Sequence, residues 1–288
     1  PMPNLRMIRR RINAVNNIQQ VTRAMKMIAA SRMRKAQENI LVARPYVRRL
    51  ETLLRHIASR IPQGAHPLLD VRPVKKALLI VVAGDRGLCR GFNANAIRRT
   101  VERYGELKAQ GVECSFIAVG RKPYEYFGKR GFPIAASHTG IFQHLNFLDA
   151  QEIASEATKL FLNRDADLVE IVYNEFKSVI QQVVVLERFL PVEPIAPEDG
   201  DMPCHYLYEP SLEAIWSSIV GKFVNLEIWR VLLESNAAEQ SARMTAMEEA
   251  TKSAEEMTKR LIGIRNQVRQ TNITTELTEI VGAANALE

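Results

Sequence analysis

Cysteine is scarce in this chain, with three (Cys89, Cys114, Cys204) in 288 residues. An odd number at unrelated spacings gives neither a disulfide framework nor a zinc-ligand pattern, and it points to a reducing compartment. The five histidines (His56, His66, His138, His144, His205) form no i,i+4 pair and no Cys/His spacing, so no metal site is expected. Long apolar runs are also missing. The longest, Ala77 to Ala83, falls far short of the ~20 residues that cross a bilayer. Tryptophan and phenylalanine are absent from residues 1–60, which argues against a membrane-surface helix and against base stacking on nucleic acid. No G-x-S-x-G and no paired-carboxylate signature suggests hydrolysis. The opening Pro1-Met2-Pro3-Asn4 lacks an apolar signal core. The Arg-rich start is reminiscent of a transit peptide, but its apolar residues run in register into the following chain, so it is read as part of the fold.

Enough apolar residues remain for a real core: 47% are hydrophobic and 25% charged, which excludes a disordered or collagen-like chain. Acidic residues are nearly missing from the first fifth. Residues 1–60 carry 14 Lys and Arg against Glu38 and Glu51, a net +12, whereas residues 211–288 carry a net −3. Such a start calls for an acidic partner: nucleic acid, anionic lipid or an acidic protein surface.

Leu5, Ile8, Ile12, Val15, Ile18, Val21, Met25 and Ile28 recur at steps of three and four, which predicts one long helix with this set as its apolar face. Pro45 is expected to kink or divide it, and Pro62, Gly64 and Pro67 to end it. At the other end, Ser211 to Leu287 contains no proline. Leu226, Leu233, Gln240, Met247, Ala254, Leu261 and Val268 fall at intervals of seven, with Ala237, Met244, Thr251 and Thr258 interleaved. This is a heptad seam built from small residues. A helix of that length, roughly 110 Å, exceeds a compact globule with a radius of gyration near ~19 Å, so it is expected to project and to pair with the oppositely charged first helix.

Between them the period changes. Ala77 to Ala83 reads as a buried strand, Asn93 to Ala109 as a helix, Val112 to Val119 as a strand and Arg121 to Arg130 as a short helix. Ala150 to Leu162 is helical, Asp167 to Tyr173 a third inner strand, and Ser178 to Leu190 an alternating edge strand. Alternating strands and helices predict an open, largely parallel α/β sheet. Pro191, Pro194, Pro197 and Gly200 mark the exit linker. The whole is a mixed α/β chain: residues 1–61 and 211–288 are shaft helices in an antiparallel coiled coil, and 62–210 form a Rossmann-like domain between them.

The densest local motif is Gly84-Asp85-Arg86-Gly87-Leu88-Cys89-Arg90-Gly91-Phe92-Asn93, between strand and helix. A dinucleotide site would want G-x-G-x-x-G there, and a phosphate loop would want G-K-[ST]. The glycines are three and four apart, so a tight turn exposing Asp85 and Arg86 fits better, with a nucleotide-binding α/β enzyme as the alternative function. Cys89 reads as a small packed residue rather than a nucleophile.

Three widely separated segments carry a resemblance. They are Ile18-Gln19-Gln20-Val21-Thr22-Arg23-Ala24-Met25-Lys26-Met27-Ile28-Ala29-Ala30-Ser31-Arg32-Met33, then Asp85-Arg86-Gly87-Leu88-Cys89, then Arg269-Gln270-Thr271-Asn272-Ile273-Thr274-Thr275-Glu276-Leu277-Thr278-Glu279-Ile280-Val281. In this order the sequence resembles the gamma subunits of bacterial F-type ATP synthases along its whole length. One departure is Arg90, where that family usually has a glycine. The chain also lacks the cysteine-bearing insertion of chloroplast members. The resemblance implies a rotor without an active site or cofactor of its own, present as one copy in a ring of three alpha and three beta subunits. It would bind an epsilon subunit and the c-ring at its foot, peripherally on the cytoplasmic face of the bacterial plasma membrane, without inserting into the membrane or binding nucleic acid. The resemblance further implies that Met25 and Lys26 face an acidic loop of a beta subunit and that Arg86 reaches the same region. Arg269, Gln270 and Thr274 would form a polar catch on beta, and Tyr206, Tyr208 and Glu209 would contact the c-ring.

Overall fold

The computed structural model describes residues 4–58, 66–192 and 212–285. The expected Tyr206, Tyr208 and Glu209 contact and most of the exit linker lie outside these residues. Two compact units divide the chain: Pro1–Ala29 with Arg243–Glu288, and Ala30–Ala242.

Helix α1 (Leu5–Ala58) has 54 residues and runs through Pro45 without a break, so of the two expected effects, a kink or a division, the division does not occur. A proline costs one backbone hydrogen bond and a local clash. Next to it Val47 and Leu50 bury themselves with Leu226, and that packing offsets the loss. Helix α5 (Leu212–Asn285) has 74 residues.

In the second unit a five-stranded sheet has the order β3-β2-β1-β4-β5, from β1 (Lys76–Val82), β2 (Glu113–Val119), β3 (Ile134–His138), β4 (Leu168–Phe176) and β5 (Gln182–Leu190). The first four strands are parallel, and β5 pairs antiparallel with β4 at the edge. Strand β3 escapes sequence reading because Ile134-Ala135-Ala136-Ser137-His138 is short, and Ile134 is the one large apolar residue on its half-buried face. On one face α2 (Phe92–Ala109) and α3 (Arg121–Lys129) cover Leu79, Val81 and Phe116, with Phe127 stacked on Phe116 at 4.7 Å between ring centroids. On the other face α4 (Phe147–Leu162) and the Val220–Leu232 stretch of α5 bury Leu78, Ile80 and Val82. A capping box starts α4: Asn146 Oδ1 accepts from the Asp149 N–H, and the Asp149 carboxylate accepts from the Asn146 N–H.

One polar cluster ties α5 to this sheet. The Arg230 guanidinium donates to both Glu187 oxygens (3.0 and 2.9 Å), to Glu227 (2.8 Å) and to the Tyr173 hydroxyl (2.9 Å). Burial would weaken the cation, but Glu227, Tyr173 and Glu187 outweigh it and hold Arg230 charged. Glu234, 3.6 Å from Arg230, is pushed above the usual carboxylate range, first by burial and then by Glu175 and Glu187.

In the first unit α1 and α5 pair antiparallel. Thr258 donates to Asn16 (3.1 Å), Gln19 to Glu255 (2.9 Å) and Lys26 to Glu248 (2.7 Å), and the Thr22 and Thr251 hydroxyls share a bond of 2.8 Å. As the numbering rises along one helix it falls along the other.

Candidate rotor surface

The pairing line of α1 within the first unit passes through Ile8, Ile12, Val15, Gln19, Thr22, Lys26 and Ala29, at the alternating steps of three and four of a coiled-coil seam. The expected apolar face therefore holds only over its first turns. Ile18, Val21 and Ile28 are more than half exposed, and Met25 is half-buried at the border. The stripe Ile18-Val21-Met25-Ile28 lies one residue off the seam, which on a helix is a rotation of about 100°. The physical reason is on α5: Met247, Thr251, Ala254 and Thr258 offer a narrow surface that suits Thr22 and Ala29. The α5 heptad does fall on the seam as expected, with Met247 and Ala254 buried. Projecting that strict period onto α1 would have located the outward stripe.

Lys26 is already paired, its Nζ lying 2.7 Å from Glu248. Of the two neighbours expected to meet an acidic loop, Met25 is therefore the one without an ionic commitment within the coil. Arg269, Gln270 and Thr274 are all exposed on α5. Thr274 Oγ1 donates to the Gln270 carbonyl at 3.0 Å, and Thr271, Thr275 and Thr278 likewise bond back one turn. About 20 residues, or roughly 30 Å of helix, separate this group from the part of α5 opposite Met25. Among the described residues α1 begins at Leu5, so the pairing register gives α5 no α1 partner beyond about Gln270. Over that last stretch Ile273, Leu277, Ile280 and Val281 share one face and are exposed.

In the second unit, an open sheet of this order takes ligands beyond the carboxyl ends of β1 and β4, where the chain reverses direction across the sheet. That crevice is filled from within. Ala238 and Ala242 of α5 pack there on Cys89 and Phe92. Glu239 lies so close to Gly84 that a Cβ on Gly84 would sit 2.8 Å from Glu239 Oε1. The Gly84 N–H, which a phosphate would need, is donated to Asn93 Oδ1 at 2.7 Å. Cys89 is buried, as expected of a packing residue.

Two residues of the motif build the turn in roles the sequence reading did not assign to them. Asn93 accepts from Gly84 and donates through Nδ2 to the Arg86 carbonyl (3.0 Å) and Cys89 Sγ (3.3 Å). Asp85 turns inward, its Oδ1 accepting from the Arg121 N–H (2.9 Å) and the Gly140 N–H (2.8 Å). The expected exposure holds for Arg86 but not for Asp85, which is half-buried. No signal short of the fold identifies these bonds, because Arg121 and Gly140 approach Asp85 only once β1, β2 and β3 are aligned.

A paired-helix unit whose α5 end exposes an apolar face, and an α/β unit whose strand-end crevice is filled by its own Ala238, Glu239 and Ala242, leave the outward helix surfaces as the candidate site. The family model described as "ATP synthase" matches residues 4–287. ATP synthase gamma chains of Chlorobaculum tepidum and Pelotomaculum thermopropionicum are 45% and 44% identical, each aligned over all of both chains. This chain belongs to the ATP synthase gamma-chain family. Among solved structures it is similar to a chain of the Tetrahymena thermophila mitochondrial ATP synthase central stalk and c-ring. There the TM-score is 0.60 and identity 26%, covering 80% of this chain and 99% of that one. A chain of the Euglena gracilis mitochondrial ATP synthase rotor shares the fold, with a TM-score of 0.67 and 17% identity over 93% of this chain and 98% of that one.

Proposed function

We propose that this chain is the central rotor shaft of a proton-translocating ATP synthase, carrying rotation of a c-ring to catalytic alpha and beta subunits. The single observation that carries the reading is the end of α5, where one helix continues past its partner and exposes Ile273, Leu277, Ile280 and Val281. An apolar face of this kind needs a sleeve supplied by other chains. One asymmetric shaft in a ring of three alpha and three beta subunits must touch each beta differently. Differential contact is what allows it to shift each nucleotide site between conformations, and the linkage runs both ways, so hydrolysis can drive the shaft backwards.

In this reading Met25, at the border of the exposed stripe, meets an acidic loop of beta, and Arg86 meets the same acidic region. Arg269, Gln270 and Thr274 form a catch whose hydrogen bonds break cheaply as the shaft turns. The epsilon subunit and the c-ring bind the foot, and the chain itself carries out no chemistry. Among the described residues no helix is long and apolar enough to cross a membrane, which suits a peripheral subunit.

Pull-down of the tagged full chain from its native membranes tests this. The expected result is an ATPase assembly holding one copy of this chain beside alpha and beta subunits. Recovery without them, together with micromolar binding of NAD, ATP or GTP by calorimetry, would replace the reading with the nucleotide-binding enzyme.

A further inference from the structure

The α/β unit carries a groove that none of the contacts described above uses. Helices α2 and α3 cover one face of the sheet, while α4 and the Val220–Leu232 stretch of α5 cover the other. The groove runs between α2 and α3, on the opposite side of the sheet from α5, and holds about 590 Å³. Ala94, Ile97 and Val101 of α2 and Tyr126 of α3 supply its apolar surface. Positions 94, 97 and 101 form one row at steps of three and four, spanning about 10 Å of helix.

Charge around this row is one-sided. Glu102 is met by Arg99 at 3.6 Å and Glu125 by Lys122 at 3.2 Å, so both acids of the groove are answered from within the chain. Arg98, Lys129 and Arg130 line it too, and none of the three has a carboxylate partner among the described residues. Two of them are held in place. Arg98 donates to Asn95 Oδ1 at 2.9 Å. Arg130 lies 3.8 Å from the centre of the Tyr126 ring and donates to the Tyr126 carbonyl at 3.3 Å. A guanidinium carries more donors than these bonds use, so both can still receive a carboxylate.

We propose that this groove is a docking site for an acidic amphipathic helix of another polypeptide. An apolar row at steps of three and four receives the matching row of a second helix laid along it, and carboxylates flanking that row meet Arg98, Lys129 and Arg130. A free inorganic anion has no use for the apolar row. A purely apolar helix would cover the three cations without answering their charge, which costs free energy. The contact is small, so it suits a weak, reversible partner. Such a partner holds the α/β unit without disturbing the α5 packing that fills the crevice. The inference goes beyond the proposed function, none of whose assigned contact residues lies on α2 or α3.

The test uses the full chain and a synthetic helical peptide with leucine at i, i+3 and i+7, glutamates flanking them and one photoreactive benzophenone. Fluorescence anisotropy should show saturable binding, and irradiation should link the peptide to residues 94–101 or 122–130, read by peptide mass spectrometry. Ala94→Glu puts bulk and a carboxylate on the apolar row. It lies in the first turn of α2, which has no acid of its own and where an acid favours the helix. Binding should weaken about tenfold or more, while the melting temperature of the chain stays level or rises. Arg98→Gln combined with Lys129→Gln should weaken binding about three- to tenfold at low ionic strength, a difference that disappears in high salt. A peptide with the leucines replaced by glutamine keeps the charge and should bind about tenfold less. Absence of saturable binding, links confined to the Arg-rich α1 or to α5, or undiminished binding in Ala94→Glu, in the Arg98→Gln, Lys129→Gln variant or with the leucine-free peptide overturns the inference.

Discussion

Three glycines near the carboxyl edge of the sheet show how differently one residue type is used. At Gly120, φ is 102° and a Cβ would lie 2.0 Å from the Ala83 carbonyl oxygen, so only glycine lets β2 end against β1. At Gly84 the obstacle is the Glu239 carboxylate together with Asn93 Oδ1 at 3.1 Å, side chains that can shift at a cost. A Cβ on Gly87 would meet nothing within 4 Å. Substitution by alanine should therefore rank in that order. Gly120→Ala prevents folding of the second unit, Gly84→Ala costs about 1–3 kcal/mol as an overpacked site does, and Gly87→Ala is close to neutral. Urea titrations of the three variants check the order, and equal midpoints for Gly84→Ala and Gly87→Ala would show that Glu239 does not hold the crevice shut. The sequence displays the glycine cluster plainly. It hides why the cluster cannot receive a phosphate, because the plug, Glu239, comes from a helix about 150 residues further on.

At the scale of elements, the strands and helices with strong periodicity were legible: β1 as an unbroken apolar run, α4 from Ala150 onward though not the capping box that starts it at Phe147, α5 as a proline-free heptad. Helix α1 was legible as a helix but not in its orientation. Reading the largest apolar side chains as buried assumes that the strongest hydrophobic stripe faces the partner helix. Here the partner helix has a seam of small residues, and Ile18, Val21 and Ile28 are left exposed. The Arg230 cluster, invisible in the sequence, gives an element-scale prediction. The fold raises the Glu234 proton affinity above its unfolded value, so this group stabilises the fold below the ordinary carboxylate range, and the contribution is lost as pH rises through the raised value. Glu234→Gln, which fixes the neutral form, should be more stable than the unmodified chain at alkaline pH and no more stable in acid. Urea midpoints across that range decide it. Equal stability at every pH would mean that Glu234 stays ionised beside Arg230.

For the whole molecule, the proposed function turns on contacts that change as the shaft rotates. Met25→Lys adds a cation at the border of the outward stripe, next to the Lys26–Glu248 pair. An ion pair formed there with an acidic beta loop, partly shielded from water, could exceed the ~0–1 kcal/mol of an exposed pair. It would hold some rotary positions more tightly than others. ATP hydrolysis should persist and assembly should be kept, while proton pumping per ATP falls. Measurement of both rates in the same membranes tests this, and unchanged pumping per ATP would place Met25 away from any coupling contact.

The most direct measurement is of rotation itself. The full chain carrying Gln110→Cys, a position exposed at the end of α2, is assembled with its alpha and beta subunits, which are fixed to a surface, and a gold bead is attached at that cysteine. During ATP hydrolysis the bead should turn in one direction, at a rate that follows the ATP concentration. An assembly that hydrolyses ATP at full rate while the bead stays still would contradict the account.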